Sequence, residues 1–328
     1  MIDFIFTLDY EIYGNGTGGL RELVYEPTER LASIFREHGA TFVIFTEVAE
    51  LEKIEEYQAD EAIDVVKHQL RRLYEEGFEI ALHLHPQWYN AKRESGRWML
   101  DSSEYNLCTL PEKRIEEIVS RALDYLQNVL GNNSYIPLSF RAGNWLFQPT
   151  ATAARVLHRH GIRVDSSVFK GGFQRNHNLD YRPALKNGNY WRFEDDVNIS
   201  KPDGPLLEVP IYTELKPFWK MLHRKRLGMQ CKSLETNGYR KLVSRLRDFA
   251  RFRYPRKLDF CRMGYDEMRN VMRRVMRIER EKRHDVVPIV SIGHSKDLVD
   301  FDSVRKCLTY LSDNSLRITD FKQATRQM

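Results

Sequence analysis

Gly77-Phe78-Glu79-Ile80-Ala81-Leu82-His83-Leu84-His85-Pro86 is the stretch whose reading decides the fold. Gly77 and Pro86 bracket it, and the residues between them read as a short strand with two faces. Phe78, Ile80, Leu82 and Leu84 point one way, while Glu79, Ala81, His83 and His85 point the other. Packing alone gives no reason for two imidazoles beside a small alanine on one face. Histidines at i and i+2 of a strand can converge on one metal ion, because their Cβ atoms lie on the same side. A polar, solvated strand edge is the alternative. Pro86 stops the strand and leaves the pair at its C-terminal tip.

Working outward, Ile2 to Glu11 repeats the pattern: Ile2, Phe4, Phe6 and Leu8 make an apolar face, and Ile5, Thr7, Asp9 and Glu11 make the other. A glycine-rich turn follows at Gly14 to Gly19, then a helix from Pro27 to Gly39 and a strand from Thr41 to Glu47. Ala59 to Glu76 reads as the helix that precedes the histidine strand. Helix from Leu110 to Leu130, strand from Ile136 to Arg141, helix from Thr150 to His160 and strand from Ile162 to Asp165 continue the series. Leu206 to Pro210 is a further strand, Val286 to His294 another, and a helix and short strand near Phe301 to Leu311 and Leu316 to Thr319 close the chain. This alternation specifies an α/β fold with a parallel sheet and helices outside, either an open sheet or a closed barrel.

Both architectures place their sites at the C-terminal ends of strands. The residues found there are Asp9 and Glu11, His83 and His85, Arg141, Asp165, and His294. Ionisable residues at five strand ends favour the metal reading over the solvated edge. Trp88 and Trp145 directly follow two of these ends, where an aromatic face can stack on a sugar or simply pack a loop. Glu47 ends another strand without a nameable partner.

At 328 residues, with 42% hydrophobic and 12% aromatic content, the chain can bury a large core. No run of apolar residues is long enough to span a bilayer, and the N-terminus enters a strand at once without a signal-peptide pattern, so a cytoplasmic location is expected. Cys108, Cys231, Cys261 and Cys307 show no zinc-knuckle or redox spacing and read as free thiols. Charge is uneven: Lys216 to Arg283 holds 22 Lys/Arg against 7 Asp/Glu, a local +15 in a chain of net +5. This basic, mainly helical stretch, about 216–284, including a long helix from Asp266 to Lys282, reads as an insertion within a single 1–328 domain. Its charge is a solvated face, a contact for a nucleotide-linked or lipid-linked sugar, or a peripheral contact with an anionic membrane. Arg273, Arg274 and Arg277 are the residues proposed to carry an anion contact. No nucleic-acid recognition module is evident, and no nucleic-acid partner is expected.

Five segments together resemble a known family. Phe6-Thr7-Leu8-Asp9-Tyr10-Glu11, Glu79 to Pro86, Phe140-Arg141-Ala142-Gly143-Asn144-Trp145, Asp165-Ser166-Ser167-Val168 and Ser291-Ile292-Gly293-His294-Ser295 are similar, in order, to the motifs of the polysaccharide deacetylases. These are the NodB-homology proteins of carbohydrate esterase family four and their superfamily. The resemblance implies a distorted (β/α)7-type barrel and metal-dependent hydrolysis of an acetamido group on a carbohydrate. It implies Asp9 as general base, Glu11, His83 and His85 as ligands of Zn2+ or another divalent transition metal, Arg141 as orienter of the base, and His294 as general acid. Asp9 as the ligand and Glu11 as the base is the alternative assignment. Trp88, Trp145 and Asp165 are the candidate substrate contacts; Asp165 could equally cap the turn after its strand. The family pattern has adjacent aspartates and histidines four apart; here Asp9 and Glu11, and His83 and His85, are each separated by one residue, which marks a divergent branch. The readings that follow are de-N-acetylation in surface-polysaccharide biosynthesis, hydrolysis of another acyl amide or a glycosidic bond, or a catalytically silent carbohydrate-binding relative.

Overall fold

The computed structural model describes residues 1–217, 253–282 and 286–328. Seven strands run parallel: Ile2–Tyr10 (β1), Val43–Glu47 (β2), Ile80–Leu84 (β3), Ser139–Ala142 (β4), Val164–Asp165 (β5), Leu206–Glu208 (β6) and Val287–His294 (β7). They pair in the order β6-β5-β4-β3-β2-β1-β7. Beyond β6, Ile211 bridges both Phe169 and Val290 of β7, and the Tyr212 N–H donates to the Val290 carbonyl at 2.9 Å. The sheet thus curls round to its own first edge, giving the distorted barrel expected. β5 and β6 are only two and three residues long, which is where the barrel is least regular. Trp191–Phe193 adds antiparallel to β6, and Arg317–Thr319 adds parallel to the start of β1.

The two faces of β1 go where their chemistry requires. Phe6 meets Phe35 of the helix Glu26–Glu37 edge-on, with ring centroids 5.3 Å apart, on the helix side of the sheet. Thr7 and Asp9 point into the barrel, where both meet Arg141. Burying each of Phe4, Phe6 and Leu8 contributes about 1.5–3 kcal/mol, which fixes the register, because a slip of one residue would turn Asp9 into the helix layer. Helices Ile63–Glu75, Glu112–Leu130, Ala151–Arg159 and Phe301–Asp313 complete the outer layer close to where periodicity placed them. A helix the periodicity did not reveal, Val48–Glu56, follows β2 directly. Glu47 caps it by accepting from the Glu50 N–H at 3.4 Å, so the usual Ser, Thr, Asp or Asn start signal is missing.

The described part of the basic segment carries the expected long helix, at Tyr265–Lys282, and a strand pair that the sequence pattern did not reveal. It opens with strand, Thr213–Lys216 pairing antiparallel with Tyr254–Lys257, and residues 218–252 and 283–285, with Cys231, lie outside the described residues. Glu214, nearly buried, holds this strand pair by gathering cations from both strands and a helix: Arg256 at 2.8 Å, Lys216 at 3.1 Å, and Arg274 of the helix Tyr265–Lys282. Arg274, expected to face an anionic ligand, is therefore held by Glu214. The chain then returns to the barrel, with Asp259 bridging Ile292 and Phe260 meeting Phe6 at 5.6 Å. Gly293 makes that return possible, since a Cβ there would lie 2.4 Å from the Phe260 ring and 2.7 Å from the Cys261 sulfur. Cys108, Cys261 and Cys307 are buried free thiols. Among the described residues no helix is long and apolar enough to cross a membrane.

Candidate metal and catalytic centre

The histidine strand ends where its sequence placed it, at the C-terminal mouth, and its side chains meet those of β1. His85 Nε2 lies 3.3 Å and His83 Nε2 3.8 Å from Glu11 Oε2. The three donor atoms fall within 4.8 Å of one another, and all three residues are buried. His83 Nδ1 lies 2.8 Å from the Arg141 carbonyl, which can only accept, so Nδ1 carries the hydrogen and Nε2 presents its lone pair to the cluster. Burial lowers the His83 pKa to about 4, with neighbouring carboxylates opposing, so the ring is neutral as a metal ligand must be. The Asn144 side-chain NH2 donates to His85 Nδ1 at 3.3 Å, so here His85 Nε2 carries the hydrogen that faces Glu11, the proton a metal ion would displace. An oxygen and two imidazole nitrogens at this spacing suit zinc or a similar divalent ion.

The backbone after β4 is shaped to this pair. A Cβ on Gly143 would come within 2.5 Å of the Leu84 carbonyl and 2.8 Å of the His85 ring. Asn144 and Trp145 follow at φ of +54° and +60°, a left-handed conformation that non-glycine residues adopt at a cost. The strained turn places Asn144 against His85 and Trp145 edge-on to His294 at 6.0 Å.

Asp9 is the second half of the centre. Its Oδ1 accepts from Arg141 Nη1 at 2.5 Å, and its Oδ2 lies 3.4 Å from His294 Nε2, in register across β1 and β7. Arg141 is fully buried, donates to the Ser166 carbonyl at 2.9 Å and to Thr7 Oγ1 at 3.0 Å, and rests 4.0 Å from the centre of the Phe45 ring. Burial pushes the Asp9 carboxyl up, but Arg141, His83 and His294 together outweigh it and hold the group below the usual carboxylate value. Burial lowers the His294 pKa despite Asp9 and Glu11, and its Nδ1 is buried without a hydrogen-bond partner. Asp9, Glu11 and His294 also bring ligand atoms within 4.8 Å of one another, so Asp9 and Glu11 sit within reach of a common ion.

Several contributors were not legible as site residues. Lys296 Nζ donates to Glu11 Oε1 and to the Ile12 carbonyl, each at 2.8 Å. Burial opposes ionisation of Glu11, and Lys296 with the two histidines overcomes it, keeping the carboxyl well below its ordinary range. The available signal is spacing: Lys296 follows His294 as Glu11 follows Asp9 and His85 follows His83. Glu47, left without a partner by sequence, accepts the His85 N–H at 2.7 Å and pins the histidine turn from behind. Glu50 accepts the Ile12 N–H at 2.8 Å and is pushed up to about 8 by burial and by Glu11. Both are acids sealed beneath the centre.

Two expected substrate contacts lie elsewhere. Trp88 is a core residue, 1% exposed and edge-on to Trp98 at 5.1 Å, because the turn Pro86–Trp88 folds it back under the loop. Asp165 caps the turn after β5, accepting from the Ser167 hydroxyl at 2.7 Å and its N–H at 3.1 Å. Burial raises its pKa and that of its neighbour Glu208, and the carboxylate of Asp165 is turned to Ser167. Trp145, by contrast, is partly exposed beside His294.

No family model matches the chain, and no curated protein matches it in sequence. Solved structures do match in shape. One from Mycobacterium smegmatis, assigned to the polysaccharide deacetylases, superposes with a TM-score of 0.55 at 13% identity, over 99% of this chain and 90% of that one. A probable polysaccharide deacetylase from Pseudomonas aeruginosa PAO1 gives 0.52 at 12% identity, over 99% and 90%. Puue allantoinase gives 0.52 at 13%, over 99% and 89%. With identities this low the likeness concerns the backbone, and over nearly its full length the chain has the polysaccharide-deacetylase barrel fold.

Proposed function

We propose that this chain is a metal-dependent carbohydrate amidohydrolase that removes the acetyl group from an acetamido sugar, acting in the cytoplasm in surface-polysaccharide biosynthesis. The observation that carries the reading is the convergence of Glu11, His83 and His85 beside an Asp9 already paired to Arg141. The contiguous core from Ile2 to Ala324 supports one domain carrying the whole site.

A divalent ion on Glu11, His83 and His85 would supply a position for water and polarise the amide carbonyl. Arg141 occupies Asp9 Oδ1, so Oδ2 is the oxygen left to take the proton of the attacking water. His294 is neutral at rest and its Nε2 lies 3.4 Å from that oxygen, so it receives the proton from Asp9 and delivers it to the departing amine. Lys296 keeps Glu11 ionised, and Glu47 and Gly143 hold the His85 turn. Trp145 offers an aromatic face at the edge of the site for a sugar ring. A catalytically silent binding protein would have no need of this complete donor, base and acid set. Hydrolysis of another amide is the second reading, since an allantoinase shares the fold.

The test is acetate release by zinc-loaded protein from N-acetylglucosamine oligosaccharides and acetamido sugar nucleotides. Release from either class is expected, and its absence from both would remove the reading.

A further inference from the structure

One cation at the centre has no partner of the kind its neighbours have. Arg141 is paired with Asp9, Lys296 with Glu11, and Arg262 with Asp297. Lys257, from the second strand of the basic segment's strand pair, has neither an ion pair nor a side-chain hydrogen bond among the described residues. Its Nζ lies on the face of Trp145, 2.8 Å from the ring centre, and 4.7 Å from the centre of Phe169. Aromatic faces stabilise an ammonium but accept none of its three N–H bonds. Burial, reinforced by Arg262, lowers the Lys257 pKa well below that of a free lysine against the opposing charges of Asp259 and Asp9, neither of which forms an ion pair with it; an anion bound beside the amine would hold it charged. The same corner holds two further polar atoms without a partner, Trp145 Nε1 and His294 Nδ1; His294 is only 7% exposed. With Asp9 and Glu11 each already neutralised, an added divalent cation leaves the mouth positive.

We propose that Lys257 is a specificity residue that recognises a carboxylate or phosphate on the amino sugar bound beside Trp145. The inference rests on the deacetylase reading for its sugar and on the Lys257, Trp145 and His294 geometry for its charge. It gives the basic insertion a place in the site: the strand pair gathered by Glu214 delivers Lys257 to the rim.

The experiment is calorimetric titration of metal-loaded protein with glucosamine, glucosaminuronic acid and glucosamine 6-phosphate, none of which has an acetyl group to lose. Wild type should bind one or both anionic sugars about tenfold or more tighter than glucosamine. Lys257→Met should abolish that preference, and Lys257→Arg should retain it. A preference for the uronate alone or the phosphate alone identifies the anion. Equal affinity for all three sugars, no measurable binding of any, or a preference that survives in Lys257→Met would overturn the proposal. A Lys257-dependent preference in a protein that releases no acetate would instead overturn the deacetylase reading and leave the anion site standing.

Discussion

The two mouths of the barrel are built from the same residue types and do different things with them. At the N-terminal mouth Asp3 is fully buried and is gripped by both arms of Arg317, with Nε 2.7 Å from Oδ1. Glu79 there accepts from the Ser139 hydroxyl at 2.6 Å and from the Lys322 N–H at 3.1 Å, so the C-terminal segment stoppers this end. At the C-terminal mouth Asp9 and Glu11 are also paired, but beside them stand the free Nε2 lone pair of His83, an unpartnered His294 Nδ1 and the unpaired Lys257. Buried polar groups are normally satisfied, so the difference separates structure from chemistry. The closed mouth uses charge to fix the fold, and the open one keeps valences for a ligand.

The largest effects should come from breaking the open mouth. Replacing His83 or His85 with Ala should abolish metal binding and hydrolysis while leaving the far-UV circular dichroism unchanged; persistence of either function in both variants would count against the site. Asp9→Asn should lower kcat by roughly 10²–10⁴-fold with metal retained, the range for loss of a general base. Steady-state kinetics beside metal analysis distinguish this from the alternative in which Asp9 is a ligand and metal is lost. Arg141→Met should cost about 3–5 kcal/mol in denaturant unfolding, because it strands the buried Asp9 charge.

The closed mouth should respond in stability alone. Arg317→Met leaves Asp3 without its donors and should cost about 1–3 kcal/mol with kcat and KM unchanged. The closed mouth should also show a pH slope. Burial raises the Glu79 pKa from 4.5 to about 7, so the folded state holds that proton more tightly than the unfolded chain. Stability from this group is complete below 4.5 and is lost as pH rises towards 7, where ionisation is easier in the unfolded chain. Glu79→Gln should flatten unfolding free energy across that window; an unaltered slope would assign it to another group.

The open mouth was legible because strand alternation carries direction. Asp9 with Glu11 and His83 with His85 each share a face, and the parallel order puts both pairs at one end. Arg141 and His294 followed from the same logic. Trp88 was not legible, since a position after a strand end does not say whether the next turn folds inward or out. Asp165 stood at a proper strand end, yet Ser167 two residues on was enough to engage its carboxylate. Lys257 was hidden for another reason: composition shows a basic run, and only tertiary structure shows which of its cations reaches the centre without an ion pair, whereas Lys296 stands outside that run and only its two-residue spacing from His294 marks it.

The central claim is that two histidines and a glutamate form a metal centre. Elemental analysis of purified protein after zinc loading and dialysis tests it most directly, with wild type beside a His83→Ala/His85→Ala double variant. The account predicts one zinc per wild-type chain and none in the variant. A metal-free wild type, or a variant that keeps its zinc, would contradict it.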